Sequence, residues 1–158
     1  SKELKIVKEL KYDFFSVQSD EKAFPTFNFS LSPEEPADIT FVTYGAAVEY
    51  ALEAAEYLYR NEEIKTNIVV PSLLSPLPID TILLFLGKCR KIITIEEGTK
   101  RGGWGSEVIS SLSEKIDNIS STRIAATNTP IPSSRTLEDF MYYNTMDVVK
   151  LALKMEKI

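Results

Sequence analysis

A chain of 158 residues, 44% hydrophobic and 26% charged, suffices for one domain with a modest core, and its formal charge of −5, with no Lys/Arg-rich run, argues against nucleic acid as a partner. The absence of histidine removes Ser-His-Asp and Cys-His nucleophile arrangements and the common zinc sites. No run approaches the roughly 18–20 apolar residues that span a bilayer, and the first residues lack the apolar core of a signal peptide, so a soluble chain with no membrane partner is expected.

Residues 1–37 read as a connecting arm: a charged opening, the aromatic alternation Phe24-Pro25-Thr26-Phe27-Asn28-Phe29, and the proline-rich Ser32-Pro33-Glu34-Glu35-Pro36. The alternation suits an extended segment laid across a surface, and the prolines are expected to keep it from becoming a central strand. From residue 38 onward a regular order begins, giving a domain over 38–158. Ile39-Thr40-Phe41-Val42-Thr43-Tyr44 predicts a strand that turns at Gly45 into a helix over 46–58, where Val48, Ala51, Leu52, Ala55 and Leu58 recur at helical spacing. Thr66-Asn67-Ile68-Val69-Val70 predicts a second strand, followed after a turn by a short helix from Asp80, the expected cap, to Leu86.

Lys91-Ile92-Ile93-Thr94-Ile95 predicts a third strand, apolar enough to be covered on both faces. Cys89, beside it, is expected to be a buried, inert thiol, and a lone cysteine points to a reducing, cytoplasmic compartment. Glu96-Glu97-Gly98 leaves that strand, and Gly102-Gly103-Trp104-Gly105 opens a helix over about 106–116. Arg123-Ile124-Ala125-Ala126-Thr127 predicts a fourth strand. After the loop Pro130-Ile131-Pro132-Ser133-Ser134-Arg135, a last helix is expected over about 145–155, with Val148, Val149, Ala152 and Leu153 inward. This alternation predicts an α/β fold of three layers, a doubly wound, Rossmann-like, mostly parallel sheet.

Four segments stand in one order: Asp38-Ile39-Thr40-Phe41-Val42-Thr43-Tyr44-Gly45; Leu73-Leu74-Ser75-Pro76-Leu77-Pro78-Ile79-Asp80; Ile95-Glu96-Glu97-Gly98 with Gly102-Gly103-Trp104-Gly105; and Thr129-Pro130-Ile131-Pro132. Together they resemble the C-terminal domain of the transketolase superfamily, most nearly that of the beta chain of the decarboxylating component of 2-oxoacid dehydrogenases. The resemblance spans about residues 38–155. It implies a non-catalytic assembly domain of a thiamine diphosphate-dependent enzyme that decarboxylates a 2-oxoacid oxidatively and passes the acyl group to lipoamide. It also implies that thiamine diphosphate and its magnesium ion are held by other domains, with no cofactor in this chain. The partners it implies are those other domains or subunits, a second copy in a homodimer, and the acyltransferase core, for which Lys154, Glu156 and Ile158 are candidate contacts. The arm before residue 38 reads as an interdomain linker, so a domain cut from a longer chain is expected.

Several residues carry two readings each. The glycine turn at Gly102, Gly103 and Gly105, with Lys100 and Arg101 beside it, could cradle a small anion or nucleotide at a helix N-terminus; the preferred reading is a tight turn that lets Trp104 pack against a neighbouring domain. Glu96 and Glu97 stand at a strand's carboxyl end, where open α/β sheets place function, and are assigned to hydrogen bonds across a domain interface rather than to acid–base work. Arg135 is either an anion-recognising arginine or an exposed partner of Glu138 or Asp139. Tyr142 and Tyr143 are divided between an intermolecular contact and core filling. The rival to the assembly domain is an independent α/β module binding a small anion at its strand ends, and within the family the equivalent domain of a 2-oxoacid:ferredoxin oxidoreductase or of deoxyxylulose-phosphate synthase.

Overall fold

The computed structural model describes residues 14–129, 134 and 141–157. Its elements in chain order are β1 (Ser16–Ser19), β2 (Thr26–Ser30), β3 (Ile39–Thr43), α1 (Ala47–Glu62), β4 (Thr66–Pro71), α2 (Ile79–Leu86), β5 (Lys91–Thr99), α3 (Trp104–Ser113), β6 (Ser120–Ala126) and α4 (Thr145–Glu156). The strands form a six-stranded sheet in the order β1-β2-β4-β3-β5-β6. Neighbours among β4, β3, β5 and β6 are parallel, while β1 and β2 add an antiparallel margin.

Period-two alternation explains the layers. On the parallel strands, Ile39, Phe41, Ile68, Ile93 and Ile95 point to one face and meet α1 and α4 through Ala51, Ala55, Leu58, Val148 and Ala152. Val42, Val69 and Ile92 point to the other and meet α2 and α3 through Ile82, Leu86, Val108 and Leu112. Four buried alanines on α1 let that helix lie close to the sheet. Leu58 and Phe41 at 0% exposure would each cost about 2–5 kcal/mol if cut to alanine. A capping box, Asn144 with Asp147, starts α4.

Three local expectations are corrected. Residues 16–19 and 26–30, assigned to the arm, are strands of the same sheet: β2 pairs with β4 along its whole length, with Phe29 opposite Ile68, and buries Phe29 against the α1–α4 face. Pro25 precedes β2 and Pro33 and Pro36 follow it, so no proline interrupts its ladder. Asp80 does not cap α2; the helix begins at Ile79 after Pro78, and Asp80 pairs with Lys115 at 3.0 Å. Strand β5 runs past Ile95 to Thr99: Ile95 stands opposite Ile124 and Thr99 opposite Ala126, so Glu96, Glu97 and Gly98 face Ala125 alone in an irregular bulge. Cys89 is buried and its thiol donates to the carbonyls of Asp38 and Lys91.

Candidate functional site

The chain passes from β3 to β4 on one side and then returns across β3 to β5 on the other. The strand order therefore reverses between β3 and β5, and the crevice beyond their carboxyl ends is where doubly wound sheets place their sites. Tyr44 and Gly45 follow β3 there, Glu96 and Glu97 lie near the end of β5, Trp104 and Gly105 begin α3, and Tyr143 stands just before α4. The structure thus brings together Glu96, Glu97, Gly103, Trp104, Gly105 and Tyr143 from the sequence-predicted set, and adds Tyr44.

The two glutamates separate by strand parity. Glu96 shares the face of Ile92 and Thr94 and turns under α3, wholly buried; its Oε2 accepts the backbone N–H of Gly105 at 3.2 Å. A carboxylate against the first turn of a helix answers the unpaired N–H groups and the positive end of the helix dipole. The glycines make that approach possible. A Cβ on Gly103 would strike the carbonyl oxygen of Thr99 and lie 2.7 Å from both Glu96 oxygens. One on Gly105 would strike the Thr94 hydroxyl and lie 2.9 Å from Glu96 Oε1. The Glu-Glu-Gly and Gly-Gly-Trp-Gly segments are therefore two halves of one contact. Glu97, on the opposite face, is exposed, with Oε2 3.4 Å from the Cβ position of Gly45.

Aromatic rings close the rest of the crevice. Trp104 is half-buried, donates its indole N–H to the Leu74 carbonyl at 3.3 Å and receives Tyr44 edge-on at 4.9 Å between centroids. Burial, then the negative charges of Glu96 and Glu97, hold the Tyr44 hydroxyl above the ordinary tyrosine range. Tyr143 packs edge-on against Tyr50 at 5.6 Å, and its buried hydroxyl has no hydrogen-bond partner among the described residues. Burial first, and then Glu97, Tyr50, Glu96 and Tyr44, push that hydroxyl far above the usual range. Tyr142 points outward, 40% exposed.

Gly102 lies in the turn before α3 with open space around it. Arg101 uses its backbone N–H on Asn128 Oδ1. Arg135, with Pro130, Ile131, Pro132 and Ile158, lies outside the described residues. Arg123, read in the sequence only as part of a strand, bonds the Lys100 carbonyl at 2.8 Å and the Ser106 hydroxyl; a lone arginine within an otherwise small and apolar strand was the available signal.

Among the described residues no three His, Cys, Asp or Glu side chains converge to hold a metal ion, and the buried carboxylate at the crevice, Glu96, lies between the backbones of two glycines. These residues do not fit a thiamine diphosphate–metal site, and no step of that cofactor's chemistry is assigned to them. No helix of the described residues is long and apolar enough to cross a membrane.

The family model "Transketolase, C-terminal domain" matches residues 32–148. The chain is 29% identical to "Pyruvate dehydrogenase E1 component subunit beta, mitochondrial" of Saccharomyces cerevisiae, over 90% of this chain and 41% of that protein. It is 32% identical to "Pyruvate dehydrogenase E1 component subunit beta" of Bacillus subtilis, over 76% of this chain and 37% of that protein. Among solved structures, one titled "Split gene transketolase, inactive beta4 tetramer" superposes with a TM-score of 0.68 at 27% identity, covering 82% of this chain and 42% of that one. The chain thus spans about two-fifths of the length of the curated relatives it matches.

Proposed function

The chain belongs to the family of transketolase C-terminal domains, and from that premise we propose that it is the non-catalytic assembly domain of a thiamine diphosphate-dependent 2-oxoacid dehydrogenase. In this reading the intact enzyme decarboxylates a 2-oxoacid oxidatively and transfers the acyl group to lipoamide. Other domains or subunits hold thiamine diphosphate and magnesium, and this domain completes a homodimer and orients them, with the acyltransferase core as a further partner. The compartment assigned is the cytoplasm, although the yeast relative is mitochondrial by name.

One observation carries the assembly role over a catalytic one: the crevice at the switch point is filled by the chain's own groups. Glu96 is used against the Gly105 N–H, and Tyr44 lies on Trp104. What that edge offers outward is Glu97, the half-buried Tyr44 and Trp104, and the exposed Tyr50 and Tyr142, and its tyrosines and tryptophan are of the kind enriched at the centres of protein interfaces.

The test is to isolate the native assembly from source cells with an antibody against this chain, run it on a denaturing gel, and assay it for bound thiamine diphosphate and 2-oxoacid-dependent acylation of lipoamide. The expected result is either a polypeptide more than twice this length or a separate subunit bearing the cofactor. A chain recovered alone, without cofactor or 2-oxoacid activity, would overturn the proposal.

A further inference from the structure

A second feature lies on the outer side of α3, away from the crevice. Between the first two turns of that helix and the edge strand β6 runs an open cleft of about 430 Å³, within the range of small-molecule sites. Lys100, Arg123, Ser106, Ser110, Ser121 and Thr122 line it, and no carboxylate does. This composition is unusual for a chain with net charge −5. Lys22, Arg60, Lys65, Lys91, Lys115 and Lys150 each stand against a carboxylate; Lys100 and Arg123, like Lys88, Arg90, Arg101, Lys154 and Lys157, have no such partner among the described residues, and they are the two that share a cleft.

The half-buried Arg123 is also held in place. Its Nη1 donates to the Lys100 carbonyl and to the Ser106 hydroxyl, which ties the guanidinium to two other residues that line the cleft. Its Nε and Nη2 donors have no partner among the described residues, which leaves one edge of the fork free. A fixed, planar fork, a nearby ammonium group and the three hydroxyls of Ser106, Ser110 and Ser121 give more donors than one carboxylate can use, but suit the three oxygens and near-double charge of a phosphoryl group.

We infer that this cleft binds the phosphoryl group of a small phosphorylated metabolite, with Arg123 and Lys100 as the charged contacts and the Ser106, Ser110 and Ser121 hydroxyls as supporting donors. The site is independent of the crevice and of the assembly role proposed above, and stands or falls separately from it.

The test titrates inorganic phosphate, and then pyrophosphate, into the purified full chain at constant ionic strength, followed by backbone 1H–15N shifts. The expected result is a saturable change centred on Ser106, Ser110, Ser121 and Arg123. Arg123→Gln should weaken binding at least about tenfold, and Lys100→Gln severalfold. Because Arg123 also ties Lys100 to Ser106, its variant could lose structure for that reason alone. Lys100→Gln alters an exposed side chain, so its weakened binding by a folded chain carries the test. Non-saturating shifts, shifts centred elsewhere, or equal affinity in the folded Lys100→Gln chain would overturn the site. Acetate binding at the same residues with equal affinity would overturn its assignment to phosphoryl groups.

Discussion

The two sides of the first turn of α3 meet opposite electrostatic surroundings. On the inner side the protein supplies its own anion: Glu96 lies buried beneath Gly103 and Gly105 and accepts a helix N–H. On the outer side Lys100 and Arg123 face an open cleft that no carboxylate lines. The same helix end is thus answered internally where it meets the sheet and left with excess positive charge where it meets solvent. The difference separates a structural motif from a candidate site: the sequence features that look most functional, paired glutamates and a glycine-rich turn, are spent on packing, whereas unmatched charge stands where the sequence reads as an ordinary strand.

The inner contact can be broken most severely through its glycines. Gly105→Ala or Gly103→Ala forces a methyl group into Thr94, Thr99 and Glu96, and strand and helix cannot part without opening the α2–α3 core. Each is expected to cost about 3 kcal/mol or more, seen in thermal unfolding as a fall of roughly 6–12 °C for a domain of this size. An unchanged melting temperature would show that α3 is not seated on β5 as described.

Glu96→Gln keeps the shape and an acceptor for the Gly105 N–H but removes the charge. The expected loss is about 1 kcal/mol from the helix end and the charged hydrogen bond, little affected by added salt because the group is fully buried. The outer side should contrast. Arg123→Gln gives up bonds to an exposed carbonyl and a hydroxyl, for about 0.5–1 kcal/mol, and at low ionic strength also relieves repulsion with Lys100. Urea unfolding at low and high salt separates the two: a salt-dependent difference for Arg123→Gln and a salt-independent one for Glu96→Gln. The reverse pattern would mean that the burial of these groups is wrongly assigned.

The same contrast shows what the sequence conceals. The parallel strands and the helices between them were legible because their apolar spacing repeats, from Ile39 through Ala152. β2 was not, because flanking prolines suggest a loop, and only pairing with β4, some forty residues away, shows that Phe29 faces the core. The end of β5 was misread for a related reason: Glu96-Glu97-Gly98 has the composition of a turn, and it stays in the sheet because β6 pairs beyond the bulge. The glycine turn was correctly marked as tight, but its purpose, approach to a carboxylate seven residues before Gly103, is a tertiary fact. Arg123 carried only the signal of a lone arginine in a strand; its significance comes from Lys100 and Ser106, which lie far from it in sequence.

The smallest expected effect bears on Tyr143, at the crevice. Its hydroxyl is buried without a hydrogen-bond partner among the described residues, so removing it leaves no donor or acceptor stranded. Tyr143→Phe is therefore expected to be neutral or slightly stabilising at pH 7, within about 0.5 kcal/mol, with the edge-on packing on Tyr50 retained. The informative reading is at alkaline pH. Because the folded protein holds this proton far above the ordinary value of 10.0, the unfolded chain releases it first, and unfolding is favoured as pH rises. The stability that depends on a neutral Tyr143 is fully present below about pH 10 and is lost as pH climbs toward the folded value. Tyr143→Phe should flatten that decline, leaving the smaller share that belongs to Tyr44, whose hydroxyl is raised in the same direction. Denaturant unfolding of both chains from pH 8 to about pH 11 measures the difference, and parallel declines would mean that the Tyr143 hydroxyl reaches solvent rather than sitting closed behind Tyr50.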